Sequence, residues 1–219
     1  MAAGQADIGI LPVIEMARQQ LDYFPGTGIA CHGPVRTILL LSKVPFHQVR
    51  TLATDSGSRT SVMLSQVILS EKYGVRPRVI SRPPHLAAML AEADAALIIG
   101  DAALEIDPAT VPFECLDLGA EWVNMTGLPM VFAVWSARKE WIEPRFEKAF
   151  VESCRYGLAH MDEIVRTEAP IRAVSEDLVR RYLTKHIVFE LGERDYQGMN
   201  LYLKHALKLE QMKPEEVIL

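Results

Sequence analysis

Short apolar runs separated by helix-length patterns recur along almost the whole chain, and this alternation limits the fold more than any other feature. The runs at 8–11 (IGIL), 36–42 (RTILLLS), 95–99 (AALII), 113–118, 130–136 and 187–191 are too short for buried helices and read as strands. Between them, 60–73 places Leu64, Val67 and Ile68 at helical spacing, and Gly74 fits the left-handed residue that ends a helix. Long helical patterns fill 139–160 and 194–209, and Pro12 sits where a helix starts. Such βαβα order predicts an α/β fold with mostly parallel sheets.

With 219 residues, the chain suffices for one large domain or two small ones. Pro45, the stretch around His47-Gln48, and Gly127-Leu128-Pro129 are either crossings between two lobes or ordinary loops, and spacing leaves this open. At 49% hydrophobic and 23% charged residues, the chain has a core to bury, which excludes a disordered tail. Twenty-three basic against 28 acidic residues leave a net charge of −5, so no bulk attraction for nucleic acid or anionic lipid exists. Cys31, Cys115 and Cys154 are odd in number, form no CxxC pair, and read as small buried hydrophobes in a reducing compartment. No apolar stretch reaches membrane-helix length and no signal peptide is visible. A soluble, cytoplasmic protein is expected. Residues 2–7 (AAGQAD) resemble the last turn of a helix followed directly by a strand, as though the chain opens in mid-unit.

The most informative segment is Asp55-Ser-Gly-Ser-Arg-Thr-Ser61, which lies between a strand and the helix after it. Unpaired backbone N–H groups, hydroxyls and the positive end of the helix dipole together make a seat for a carboxylate or phosphate. Plain N-capping by Ser58 or Thr60 explains one hydroxyl, but not four hydroxyl residues and an arginine in seven positions. The segment is not a P-loop, since it lacks the spacing and the lysine. Gly33-Pro34-Val35-Arg36-Thr37 opens a buried strand and delivers a hydroxyl at its mouth, though threonine also simply suits strands. Gly100 and Asp101 end another strand, where an open α/β sheet points at its ligand, and Asp101 serves equally as a helix cap. No His pair has metal spacing, and no GxSxG or GxGxxG is present. Trp122, Trp135 and Trp141 read as core rather than as a stacking platform.

Four blocks in order carry a resemblance to a known family: ADIGILPVIEMAR (6–18), GPVRTILLLSKVP (33–45), SGSRTSVMLSQVIL (56–69), and ADAALIIGDAAL (93–104) with DLGAEWVNMTGLPMVFAVWSAR (117–138). The chain resembles the chorismate dehydratases of the futalosine route to menaquinone. The resemblance implies a two-lobed type II periplasmic-binding-protein-like fold with ligand in the cleft. It implies lobe 1 from 1–45 plus 128–219 and lobe 2 from 46–127. It implies that Thr37 occupies the position of the family's active-site serine, keeping the hydroxyl but stiffening χ1. Ser56, Ser58, Arg59, Thr60 and Ser61, with Gly100 and Asp101, would then bind substrate. The implied chemistry is loss of water from chorismate to give 3-[(1-carboxyvinyl)oxy]benzoate. The substrate's own carboxylate takes the ring proton, and no metal or organic cofactor takes part. The family's N-terminal segment with an active-site asparagine has no match here, so a first lobe incomplete at its N-terminus is expected, with exposed edges that favour homo-oligomers. Two rivals are the sister enzyme 1,4-dihydroxy-6-naphthoate synthase, with a histidine where this chain has Gly100, and a non-catalytic binding protein for a small aromatic or carboxylate ligand.

Overall fold

The computed structural model describes residues 6–55 and 57–211. The expected helix end at 2–5 therefore lies outside the described residues. The elements run β1 (Ile8–Pro12), α1 (Val13–Arg18), β2 (Asp22–Cys31), β3 (Ile38–Ser42), β4 (Thr51–Thr54), α2 (Arg59–Tyr73), β5 (Arg78–Ser81), α3 (Leu86–Glu92), β6 (Ala95–Ile99), α4 (Asp101–Leu104), β7 (Glu114–Asp117), α5 (Leu118–Thr126), β8 (Met130–Ala137), α6 (Pro144–Ala159), α7 (Met161–Ile171), α8 (Glu176–Arg181), β9 (Val188–Glu190) and α9 (Glu193–Gln211).

The strands form two sheets, ordered β1-β8-β2-β9 and β5-β4-β6-β3-β7. The expectation of mostly parallel sheets is corrected in one respect: among the described residues the parallel pairs are β4 with β5 and β4 with β6, and the other pairs are antiparallel. Those three strands follow one another through helical crossovers, β4-α2-β5-α3-β6, and β4 pairs directly with both of the others. In the first sheet β8 is inserted antiparallel between β1 and β2, and in the second β3 is inserted antiparallel between β6 and β7. Strands that follow one another through a helix therefore still point the same way, as β1 and β2 do, but an inserted strand turns their ladders antiparallel.

The chain passes from the first sheet to the second between Cys31 and Ile38 and returns between Asp117 and Met130. Gly127–Pro129 lies at the end of that return, just before β8. The outward passage lies nearer the N-terminus than position 45, because β3 is hydrogen-bonded on both edges within the second sheet. Pro45 instead opens a 3-10 turn, Phe46–Gln48, that joins β3 to β4.

β3 shows why its sequence is an unbroken apolar run. Leu40 faces a large core cluster while Leu39 and Leu41 face a second one, so both faces of the strand are covered. The large cluster takes residues from both sheets, including Leu52 and Leu97 of the second and Val131 and Val134 of the first. It fills in around α2, whose Leu64 and Ile68 are fully buried, each contributing about 1.5–3 kcal/mol. Gly74 ends α2 at φ 69° as expected. Trp122 is fully buried in this core and Trp135 stacks on Phe150, but Trp141 is 37% exposed.

β2 escapes a sequence reading because Pro25, Gly26 and Gly28 look like turn residues. They are a kinked strand instead, with register shifts on either side of Gly28 and Ile29. A Cβ on Gly28 would lie 2.6 Å from the Ala133 carbonyl oxygen, so the close approach of β8 requires glycine there.

Cys31 closes β2 fully buried, and burial pushes its thiol up to about 12. At pH 8 the thiol is then almost wholly protonated. Titration of the native protein with a disulfide reagent should therefore leave Cys31 silent and count at most two of the three thiols, with the third appearing in denaturant. Rapid labelling of Cys31 in the folded chain would contradict this burial. Among the described residues, no helix is long and apolar enough to cross a membrane.

Candidate active site

The turn between the sheets is built around one carboxylate. Asp117, at the end of β7, accepts the Val35 N–H at 3.0 Å and the Arg36 N–H at 2.6 Å. It also caps α5 by accepting the Ala120 N–H at 3.0 Å. Arg36 sits in the left-handed region at φ 68°, unusual for a residue with a side chain. Its guanidinium holds that conformation by donating to the carbonyls of Ala103 (2.7 Å), Leu104 (3.2 Å) and Ile106, at and just beyond the end of α4. Gly119 lets α5 come this close, since a Cβ there would meet the Gly33 carbonyl oxygen at 2.7 Å. The result fixes Thr37 at the mouth of β3, its carbonyl accepting the Gly100 N–H at 2.9 Å.

Thr37 is buried, yet it lines a cavity of about 170 Å3 at the joint of the two sheets. Space of roughly this size accommodates one six-membered ring. The walls include Ile29 and Phe132 from the first sheet and Ile38 and Ile99 from the second. The polar lining consists of Thr37, Ser58, Ser61, Gly100 and Tyr182. Among the described residues that line it there is no carboxylate, imidazole or cation.

Ser58 precedes α2 but does not cap it; its hydroxyl donates to Ser61 Oγ at 2.8 Å. Both hydroxyls therefore stand at the positive end of a 15-residue helix, on the cavity side. Burial raises the Tyr182 phenol above its ordinary range, partly offset by its hydrogen bond to Thr37, so it is a neutral donor near pH 7.

The residues expected to bind substrate divide. Thr37, Ser58, Ser61 and Gly100 are brought together at the cavity. Thr60 is not: its hydroxyl donates to the Phe132 carbonyl at 3.0 Å and its own carbonyl accepts the Tyr202 hydroxyl at 3.1 Å, which ties α2 to β8 and α9. Arg59 is exposed and turned toward Glu15, 3.9 Å away. Asp101 is exposed, with its carboxylate 3.3 Å from Arg172 Nε. Ser56 lies outside the described residues.

Tyr182 and Asp117 had no signal in the sequence reading. Tyr182 lies 145 positions from Thr37, and only the fold joins them. Asp117 is a helix cap by type, but nothing local tells that its carboxylate also holds a turn some 80 residues earlier. A roomier cavity of about 310 Å3 lies beneath α6, lined by Trp135, Phe150, Leu158 and other apolar side chains. Its walls are mainly apolar, with Thr27 and Ser153 as its hydroxyl residues, so the smaller cavity at the head of α2 is the better site for a carboxylate.

Comparison with known proteins agrees with this architecture. A chorismate dehydratase of Thermus thermophilus is 30% identical over 201 residues, covering 84% of this chain and 73% of the relative. A solved structure of an Archaeoglobus fulgidus protein superposes with a TM-score of 0.74 at 15% identity, over 96% of this chain and 82% of the other. The periplasmic aliphatic sulphonate binding protein of Escherichia coli superposes with a TM-score of 0.62 at 13% identity, over 95% and 71%. These two structures show the fold, which is that of the periplasmic binding proteins. The family model described as menaquinone biosynthesis matches residues 1–208. With both sheets and the hydroxyl-lined cavity inside that match, the chain belongs to the menaquinone biosynthesis family.

Proposed function

We propose that the cavity binds chorismate and that the chain dehydrates it to 3-[(1-carboxyvinyl)oxy]benzoate. The observation that carries this reading is the meeting of Thr37, Ser58, Ser61 and Gly100 on one ring-sized cavity, in a chain of this family. The Ser58–Ser61 pair at the head of α2 suits a carboxylate, and Thr37 is placed to donate to the departing ring hydroxyl. Loss of water here is redox-neutral and ends in an aromatic ring, so the site has chiefly to fix geometry and stabilise charge. The ring proton goes to the substrate's own enolpyruvyl carboxylate, which suits a lining without carboxylate or imidazole. No metal or organic cofactor enters this scheme.

The two sheets serve as two lobes around the cleft, with the crossings at 32–37 and 118–129. We further place the protein in the cytoplasm and, with β1 at the edge of its sheet among the described residues, expect a homo-oligomer. The sister activity is disfavoured by Gly100, which stands at φ 66° where that enzyme carries a histidine.

Mass spectrometry of the protein incubated with chorismate should show a product lighter by one water. Thr37→Val and Ser58→Ala should each lower kcat/KM roughly ten- to hundredfold, for a lost bond to a charged group worth about 1.5–3 kcal/mol. Parent-like turnover by both variants would move the site elsewhere. Tight binding without product would make the chain a binding protein.

A further inference from the structure

Among the cavity hydroxyls, Thr37 is the one that meets the Tyr182 phenol. Its Oγ1 has two polar neighbours, the Val35 carbonyl at 3.5 Å and Tyr182 Oη at 3.2 Å. The first is at the outer limit for a hydrogen bond and weak. A phenol is the more acidic of the two hydroxyls, so the favourable direction runs from Tyr182 O–H to Thr37 Oγ1. With its oxygen so occupied, the Thr37 hydrogen has among the described residues the Val35 carbonyl at the limit of reach, and is free to turn toward a ligand in the cavity.

The segment that presents Tyr182 is built for this. Residues Tyr182–His186 form a π-helical turn, closed by the Ile187 N–H donating to the Tyr182 carbonyl at 3.1 Å. Such turns are rare and cluster at functional sites. The same turn is anchored to the Gly33–Thr37 turn a second time, by His186 Nδ1 donating to the Pro34 carbonyl at 2.9 Å. The π turn thus grips the threonine turn at both of its ends, and Tyr182 and Ile187 both reach the cavity wall.

We infer that Tyr182 is the positioning residue of the reaction, fixing the Thr37 hydroxyl as a donor to the departing hydroxyl of the substrate. This rests on the dehydratase reading above. The Tyr182 proton stays on its own oxygen throughout; the water lost is made from the substrate's ring hydroxyl and one ring hydrogen. Donation into Thr37 Oγ1 polarises the threonine O–H, so the bond it gives strengthens as negative charge builds on the leaving oxygen. The effect belongs to the transition state rather than to substrate binding.

The test is a double-mutant cycle on chorismate turnover, with kcat and KM measured separately. Tyr182→Phe keeps the ring that packs in the wall. It should lower kcat about tenfold while KM changes less than about twofold. In a Thr37→Val background the same substitution should change kcat by less than about twofold, since nothing remains for it to position. A Tyr182→Phe variant with parent kcat would overturn the inference, as would an undiminished tenfold loss in the Thr37→Val background. Absence of turnover by the parent protein would overturn the dehydratase reading and this inference together. Parent turnover with an indifferent Tyr182→Phe variant would overturn the inference alone.

Discussion

Replacing Asp117 with alanine should lower the stability of the chain by about 3–4 kcal/mol and reduce turnover of chorismate by roughly a hundredfold. The carboxylate accepts three backbone N–H groups, from Val35, Arg36 and Ala120. Each bond to a charged acceptor is worth about 1.5–3 kcal/mol, and three that share one side chain sum to less than three times that. Alanine removes the α5 cap as well, at about 1 kcal/mol, which is part of the same total. The catalytic consequence comes through Arg36. Its backbone stands at φ 68°, and holding a residue with a Cβ there costs about 1–2 kcal/mol. Once its N–H is released, the turn can relax and carry Thr37 away from the cavity, and a displacement of about 1 Å in a reacting geometry is enough for a hundredfold loss. Asp117→Asn, which keeps one carbonyl oxygen for these donors, should fall between the parent and Asp117→Ala in both measures. Urea denaturation gives the first number and steady-state kinetics the second. Parent-like stability of Asp117→Ala would show that the turn stands without its carboxylate.

The parts of this site that could be read in the sequence are those set by local chemistry. β3, β6 and α2 were legible because an apolar run covered on both faces, and a helical repeat closed by a left-handed glycine, state their own structure. β2 was not, because its Pro25 and Gly28 answer to a neighbouring strand: the Ala133 carbonyl dictates the glycine, and Ala133 is a hundred positions away. The hydroxyl-rich segment shows the same division within a few residues. Composition marks 55–61 as polar and helix-initiating but assigns no direction to each side chain. Helical phase does: Ser58 and Ser61 are three apart and share a face, while Arg59 and Thr60 point around the axis to Glu15 and to β8. Applying that phase would have separated the binding pair from Thr60 once the start of α2 was known. Tyr182 is different in kind, since no local pattern sets it apart from the chain's five other tyrosines.

Gly198→Ala should destabilise the protein by about 2–4 kcal/mol, although the same change in a free helix would stabilise it. Gly198 lies inside α9, where exchanging glycine for alanine ordinarily gains about 1 kcal/mol. Here an added Cβ would sit 2.0 Å from the Pro129 carbonyl oxygen, and that contact decides the sign. The obstacle is backbone, so no rotamer can relieve it. The carbonyl is moreover held by the Trp122 indole N–H at 3.0 Å, from a side chain that is itself fully buried. To admit the methyl group, α9 must back away from the start of β8. That motion reaches the active site, because the Tyr202 hydroxyl of α9 donates to the Thr60 carbonyl in the first turn of α2, the turn that carries Ser61 and follows directly on Ser58. The variant should therefore lose kcat/KM by several-fold even at temperatures where it is fully folded, in addition to its lower urea midpoint. A gain of about 1 kcal/mol with unchanged kinetics would mean that α9 does not press on β8 as described. A loss of stability with parent kinetics would mean that α9 supports the core but not the head of α2.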